Sequence, residues 1–354
     1  MNKNLACRSV ALTGSLIRVA VMFLSLLTAG AAYAVSPVSD QTGWSGYVFL
    51  GGGYTNVKSN TVAGNKLIEG GNETIGSIDD KPRTNDIVHA LAGTEIRYTL
   101  ANRNQIFFGG SLEDRLTLDI ANQLGWRKQT ATAGIFQLGL LFSVIPVEVW
   151  EDPYLAGTPR EETDRDSQGA RFEWGRIMGS QFDLLLQFRE NDIDNELSGA
   201  DPALNCDLAC RSLLDREGTQ YQARMSYTFR FPGGHIFRPQ LRLRREDRDG
   251  KATARDAWAL QLSYSYMQPS WMLVTNALYG QSRYDEANPL FGMRQDADTL
   301  ALDATVLYNL PTESRRWQLT GSVFWSESDS KIRFHDNKLS QIFGGVIYNF
   351  GNYP

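Results

Sequence analysis

Arginines recur at alternate positions in two neighbouring segments, a spacing that places side chains on one face of a β-strand. The arginines concerned are Arg224, Arg238, Arg242 and Arg244. A guanidinium group stays charged and binds carboxylates and phosphates through paired hydrogen bonds. Acidic residues take the corresponding face of other segments, namely Glu113, Asp183 and Asp303. Two interpretations remain open: arginines and acids that face each other across a wet pore and create a transverse field, or arginine–carboxylate pairs that fill the interior.

The sequence offers little for nucleophilic or acid–base catalysis. Among three histidines, only His89 has a nucleophile worth comparing with it, Ser111. Catalysis by such a pair also needs a group that orients the imidazole, and no such grouping is apparent. The S-x-x-K match at Ser328–Lys331 falls at a predicted hairpin tip, whereas this motif works on a helix. We therefore predict a protein that is not an enzyme and that uses no metal or other cofactor.

Two cysteines, Cys206 and Cys210, lie close together in a polar stretch. Because a zinc site would need further ligands nearby, we predict a small loop disulfide instead. Acidic residues cluster at Asp79–Asp80 and within 161–166. Carboxylates in outer loops could hold divalent cations that bridge lipopolysaccharide phosphates, but their spacing matches no calcium loop and favours solvated loops.

The first 34 residues have the features of a secretory signal peptide. A basic start precedes an apolar stretch at 19–27, and Ala32-Tyr33-Ala34 fits the A-x-A cleavage pattern. We predict export, with residues 35–354 forming one domain. The chain is 42% hydrophobic and carries a net charge of -5, which excludes disorder and gives no basic surface for nucleic acid.

Beyond residue 34, hydrophobic and polar residues alternate with a period of two. In 257–266, for example, Trp258, Leu260 and Leu262 share one face and Gln261 the other. The predicted strands are 44–57, 86–99, 104–118, 127–143, 168–177, 181–194, 218–230, 236–246, 256–267, 271–284, 296–309, 316–328 and 338–350. Because a closed antiparallel bacterial barrel needs an even number, a further strand at 146–154 gives fourteen, with twelve as the alternative.

Aromatic residues and loop lengths distinguish a membrane barrel from a soluble sandwich. Trp44 and Tyr54 share a face, roughly 25 Å apart along a tilted strand, which matches the apolar band of an outer-membrane barrel. Short and long connections also alternate. We predict an all-β, transmembrane, antiparallel up-and-down β-barrel in the bacterial outer membrane. The last strand, 345–350, resembles the C-terminal signal read by the barrel assembly machinery, a partner during biogenesis.

Several runs resemble a family of proteobacterial exported proteins called domain of unknown function 2860. The matching runs are Gly43–Gly46, Gln105–Gly109, Leu112–Asp114, Glu148–Tyr154, Leu214–Arg216 and Ala287–Gly292. They occur in order along nearly the whole exported chain, and Glu148–Tyr154 and Ala287–Gly292 are the most distinctive. The resemblance implies export and a barrel-like β-protein. It implies no activity and no functional residues.

These observations predict a porin-like channel for small hydrophilic solutes, biased toward anions by an arginine-lined lumen. One alternative is a non-conducting surface barrel whose outer loops bind a partner or lipopolysaccharide. An outer-membrane hydrolase is the least favoured alternative.

Overall fold

The computed structural model describes residues 21–22, 35–65, 68–69, 73–110, 121–144, 146–311 and 316–352. The predicted signal peptide lies outside the described residues, except for the two-residue strand Val21–Met22, which runs parallel to Ala90 and Leu91. Glu113 and Ser111 also lie outside them.

Fourteen wall strands occur in the described part of the chain. They are β1 (Gly43–Lys58), β2 (Thr84–Leu100), β3 (Asn104–Gly110), β4 (Ala121–Gln129), β5 (Ile135–Ser143), β6 (Glu162–Gly175), β7 (Phe182–Ile193), β8 (Gly218–Tyr227), β9 (His235–Arg248), β10 (Arg255–Met267), β11 (Trp271–Tyr284), β12 (Ala297–Asn309), β13 (Trp317–Ser330) and β14 (Asn337–Gly351). After Thr228, β8 continues as Phe229–Phe231.

The strands close into a barrel. Each wall strand pairs antiparallel with the next along the chain, and β14 returns to β1 with Phe343 opposite Gly53. The pairing of β14 with β1 satisfies the backbone hydrogen-bonding groups that would otherwise be open at the first and last wall strands. The prediction of a closed antiparallel barrel of fourteen strands is confirmed.

The alternation of apolar and polar residues in the sequence places apolar side chains on the outer surface of the barrel and polar side chains on its inner surface. Outward-facing apolar side chains are exposed around the wall, for example Leu50 at 62%, Val88 at 81% and Leu140 at 61%. The predicted Trp44 and Tyr54 also face outward, and Trp44 contacts Tyr98 at a ring distance of 4.9 Å. A band of exposed apolar side chains that encircles a closed barrel suits contact with lipid tails.

The two ends of the barrel differ. Five described hairpin turns and the ends Gly43 and Gly351 lie at one end, called here the turn end. The long connections lie at the other, the loop end. Gly134 illustrates a tight turn between β4 and β5: its φ is +100°, and a Cβ there would overlap the carbonyl oxygens of Gly175 and Arg176.

Two predicted boundaries were wrong, although the strand number was right. Residues 127–143 form two strands, β4 and β5, because the chain reverses at 130–134. Residues 146–154 do not form a separate wall strand. Val147–Trp150 pairs with the loop-end half of β6, while β5 pairs with its turn-end half, so Val147–Trp150 extends β5.

Short elements complete the loop end. Helix α1 (Leu208–Ser212) has Asp207 as its N-cap, whose carboxylate accepts a hydrogen bond from Cys210 N. The loop end also has the short strands Gly64–Asn65 and Ile68–Glu69 and the 3-10 turns Pro202–Leu204 and Arg333–His335, whereas the 3-10 turns Ala101–Arg103 and Ile177–Gly179 lie at the turn end. None of the helices among the described residues combines the length and hydrophobicity needed to span a bilayer.

Candidate functional site: an arginine-rich lumen under a folded cap

The predicted lumen residues in the described part of the chain all face the interior. They are Arg224 on β8, Arg238, Arg242 and Arg244 on β9, Asp183 on β7 and Asp303 on β12; Glu113 lies outside the described residues. Their immediate neighbours Met225, Leu241 and Leu243 point outward and are 42–50% exposed. We call the inward-facing side chains of β6 to β10 the arginine wall.

Two arginines meet at the middle of the arginine wall. Arg224 is directly opposite Arg242 in the pairing of β8 with β9. The next residues in the same row are Leu185 on β7 and Ala259 on β10, neither of them charged. Like charges opposite one another destabilise a strand pair unless an anion lies between them. The register thus brings two arginines together on the inward face.

Other members of the wall are held by polar neighbours. Arg238 Nη2 lies 3.5 Å from Asp183 Oδ2 and donates to Ser226 Oγ at 2.7 Å. Arg244 Nη2 donates to Gln222 Oε1 at 3.1 Å. Arg244 Nη1 also lies 3.6 Å from Glu246 Oε1. Ion pairs therefore occur on both sides of Arg224 and Arg242 along the strands, with Asp183 toward the turn end and with Glu246 toward the loop end.

Further arginines face the lumen that were not in the predicted set. They are Arg97, Arg127, Arg165, Arg171, Arg189, Arg248 and Arg255. Arg127 donates to Gln137 Oε1 at 2.7 Å, and Gln137 donates to Glu173 Oε1 at 2.8 Å. The same alternation rule would have found them. Glycines such as Gly125 and Gly169 interrupt the alternation on these strands and obscure it.

The outer surface of the barrel is concave behind the arginine wall. A concavity of about 920 Å³ spans β5 to β11, lined on the outward side by Leu138, Phe172, Leu186, Tyr221, Leu243 and Trp258. A cylindrical barrel is convex outside, so a hollow across seven strands means that this wall bends inward.

An apolar cluster lines the other side of the lumen near the turn end. Its members are Tyr47, Phe49, Met272, Val274, Leu307, Phe343 and Ile347. A Cβ at Gly51 would lie 2.6 Å from Phe49 Cζ, so the ring lies along the wall over this glycine instead of projecting across the lumen. On the same side, Asp303 accepts a hydrogen bond from Asn276 at 2.8 Å.

The long connections at the loop end share one hydrophobic core, which we call the cap. Its buried side chains are Ile75, Tyr154, Leu214, Ala252, Ile332 and Phe334. They come from the connections 59–83, 144–161, 194–217, 249–254 and 331–336, and Phe291 of 285–296 packs against them. Loops that start at these six places on the rim and meet in one core must cross above the lumen. The cap therefore covers at least part of its mouth.

Tyr154 lies at the centre of the cap. Its side chain is 3% exposed, and its ring stacks on Phe334 at a centroid distance of 5.3 Å. Asn288 Nδ2 donates to the Tyr154 hydroxyl at 3.0 Å, and Phe291 packs against the ring. The two most distinctive runs of the sequence, Glu148–Tyr154 and Ala287–Gly292, thus meet here. Sequence reasoning missed this contact because the runs are far apart along the chain.

Polar contacts fasten the connections to one another. Asp152 accepts hydrogen bonds from Gly199 N at 3.0 Å and Asp201 N at 3.1 Å. The Arg160 guanidinium lies 4.2 Å from the ring centroid of Trp150 and donates to Asn60 O at 2.6 Å. Cys206 and Cys210 are joined by a disulfide with a Cα–Cα distance of 5.2 Å, and Cys206 packs against the cap core.

Candidates for catalysis or metal binding do not assemble into a site in the described residues. His89 faces the lumen, with Nε2 3.4 Å from the Gln341 amide, but Ser111 lies outside the described chain. One trio of carboxylates, Asp215, Glu217 and Asp249, comes within 4.8 Å at the rim. Glu217 accepts a hydrogen bond from Ile193 N, and the trio has no further feature of an ion site.

Acidification should loosen the cap. Partial burial among Tyr154, Phe291 and Phe334 lowers the pKa of His335 from 6.5 to about 3. The folded cap favours the neutral imidazole, so this contribution is present above pH 6.5 and is lost as the pH falls from 6.5 toward 3. Proteolysis of the loops should therefore accelerate at about pH 5 relative to about pH 7.5. His335→Gln should remove that part of the pH dependence, and equal dependence in both proteins would contradict the prediction.

Comparisons with known proteins relate the chain to a family and to other barrels. The family described as Protein of unknown function (DUF2860) matches residues 43–349. No curated protein matches the chain. Among solved structures, in-vitro folded OmpT of Vibrio cholerae is 10% identical, covering 89% of this chain and 100% of its own, with a TM-score of 0.38. The outer membrane channel DcaP of Acinetobacter baumannii has the same identity, coverage and TM-score. The beta domain of the Bordetella autotransporter BrkA is 12% identical, covering 87% of this chain and 100% of its own, with a TM-score of 0.39.

Proposed function

Because the chain belongs to the DUF2860 family, whose description carries no activity, we propose its function from its own geometry: an outer-membrane β-barrel that conducts small hydrophilic anions. The loop end faces outward from the cell, and the turn end faces the periplasm. We propose no catalytic activity and no cofactor. Insertion would use the barrel assembly machinery.

Placement in the outer membrane is supported by the outward-facing apolar band. Exposing Leu50, Val88 and Leu140 to water around a closed barrel would be unfavourable, whereas lipid tails accept them. The predicted signal peptide supplies a route of export. Short turns at one end and long connections at the other follow the usual asymmetry of bacterial outer-membrane barrels.

The observation that carries the anion preference is the pairing of Arg224 with Arg242. Both side chains belong to the inward face, with Leu185 and Ala259 as their neighbours in the same row. Two guanidinium groups so close together attract a passing anion and repel a passing cation. The geometry thus favours anion over cation permeation.

Planar-bilayer recording tests this proposal. Refolded protein in a potassium chloride gradient should give channels whose reversal potential indicates anion selectivity. Arg242→Glu should shift the reversal potential toward cation selectivity, because it replaces one member of the facing pair with a carboxylate. Arg283→Glu makes the same chemical change at an exposed outward position and should leave selectivity nearly unchanged. Absence of conductance would refute the channel, and an unchanged reversal potential in Arg242→Glu would refute the role of the pair.

A second function is favoured by the cap. Loops that share a buried core present a fixed outer surface, which suits a non-conducting barrel that binds a partner or lipopolysaccharide. In that case wild-type protein would give no current in planar bilayers. Detergent-solubilised protein would bind to immobilised lipopolysaccharide. Loss of retention on deleting loop residues 196–204, with the barrel still folded, would favour this function over a channel.

A further inference from the structure

The first residues of the exported chain, which is predicted to begin at Val35, are buried near the turn end of the barrel. Val35 is 2% exposed and Val38 is 5% exposed, although residues 35–42 belong to no strand or helix. Pro37, between the two valines, has a fixed φ and favours an extended conformation in the residue before it. Two buried apolar side chains in a short extended segment indicate that the segment is bound to a surface of the barrel.

Val35 packs on the inner face of β6, where a side chain is missing. Gly175 lies on the same face as Glu173, which is 4% exposed and faces the lumen. A Cβ at Gly175 would lie 3.2 Å from Val35 Cβ and 3.3 Å from Val35 Cγ2. The glycine therefore leaves the space that the valine side chain occupies.

Val38 is held two strands away on the same inner surface. Its backbone N donates to Gln129 Oε1 at 2.8 Å, and Gln129 ends β4. Ile135 on β5 is opposite both Gln129 and Gly175 and is 1% exposed. The segment from Val35 to Val38 thus crosses the inner face from β6 to β4, a distance of about 10 Å that three extended residues can span.

The chain continues from Val38 toward β1 past the turn between β2 and β3. Asp40 forms an ion pair with Arg103 in that turn, and Arg103 Nη2 donates to Asp40 Oδ2 at 2.9 Å. The contacts therefore follow the turn end of the wall in strand order, from β6 through β4 to β1. Along this path, residues 35–38 form an additional layer inside the lumen.

We propose that residues 35–38, which we call the N-terminal strap, bind the inner wall from β4 to β6 and narrow the turn end of the lumen. The binding site is the row of Gln129, Ile135 and Gly175. Cleavage before Val35 leaves the new N-terminus inside the barrel. The narrowing rests on the proposed channel function, whereas the binding of the strap does not.

A disulfide between the strap and β6 tests the site without requiring conduction. Cysteines that form a disulfide have Cβ atoms about 3.5–4.5 Å apart, so Val35→Cys and Gly175→Cys should become joined. The exported chain would also carry Cys206→Ser and Cys210→Ser, which remove the native disulfide. After refolding in detergent and mild oxidation, mass spectrometry of tryptic peptides should detect the cross-link. Its absence from a folded barrel would overturn the proposal.

Val35→Cys combined with Thr320→Cys is the matched control. Thr320 is 6% exposed on the inner face of β13, on the other side of the lumen. A bound strap cannot reach this position, whereas an N-terminus that moves freely in the lumen would reach both cysteines. Equal cross-linking of the two pairs would therefore overturn the site. A heat-modifiable gel shift verifies that every variant is folded.

Single-channel conductance tests the narrowing. Deletion of residues 35–38 should increase the conductance, because it removes a layer from the inner wall. Reducing the disulfide between positions 35 and 175 should leave the conductance unchanged, because the strap is bound in either case. An unchanged conductance after the deletion would overturn the narrowing. A cross-linked barrel that gives no current, with or without the strap, would instead overturn the proposed channel and leave the strap site standing.

Discussion

Leu302→Arg should destabilise the barrel by about 2–4 kcal/mol, the cost of placing an arginine at mid-depth on the lipid-facing side of a membrane barrel. Leu302 lies near the middle of β12 and is 47% exposed on the outward face. If this face contacted water, the same substitution would barely change the free energy of unfolding, because a water-exposed leucine contributes little to stability. The free energy of unfolding in lipid vesicles, from urea titration, measures the difference.

The adjacent residue supplies the control. Ala301 faces inward, opposite Leu278 and Ser326, with Asp303 two residues along the same face. An arginine there stays in the polar lumen close to a carboxylate, so Ala301→Arg should cost less than about 1 kcal/mol. If Leu302→Arg and Ala301→Arg were equally stable in vesicles, the outward face of β12 would not contact lipid.

Tyr154→Ala should disrupt the cap while leaving the barrel closed. Truncating a buried aromatic residue costs about 3–5 kcal/mol, through lost burial and the cavity that remains. Tyr154 contacts Phe291, Phe334 and Asn288 from two other connections, so the loss is concentrated in the cap core. Hydrogen exchange in the loops should increase, and single-channel conductance should rise as the mouth becomes less covered.

A conservative variant separates packing from hydrogen bonding. Tyr154→Phe keeps the ring but leaves the Asn288 amide without its acceptor, a loss of about 1–3 kcal/mol. Its loop exchange should fall between those of wild type and Tyr154→Ala. Unchanged exchange in Tyr154→Ala would mean that the connections are held by other contacts. A conductance that stays constant while exchange rises would place the narrowest point below the cap.

The barrel could be predicted from local sequence because its determinant is local. Successive residues of β10, for example, face the outer surface and the lumen in turn. This alternation of apolar and polar residues can be recognised without knowing which strand pairs with β10. The errors came where that signal fails. The turn at 130–134 lacks the usual turn dipeptides, and Val147–Trp150 alternates like a wall strand although it only extends β5.

The candidate site was predictable in part for the same reason. Alternation alone placed Arg224 and Arg242 on the inner face. It could not place them opposite each other, because register depends on how β8 pairs with β9. The cap was missed entirely, since its core joins loops without periodicity.

Assembly order follows from the way in which the cap is built. Asn60 Nδ2 donates to Phe334 O at 3.4 Å, a contact between residues 274 positions apart. Contacts of such long range form only after the ends of the chain have come together, here when β14 meets β1. Until β14 pairs with β1, the side chains of Tyr154 and Phe334 stay exposed and can drive aggregation. A ligand that binds only the packed outer surface of the cap would therefore bind only barrels whose assembly is complete.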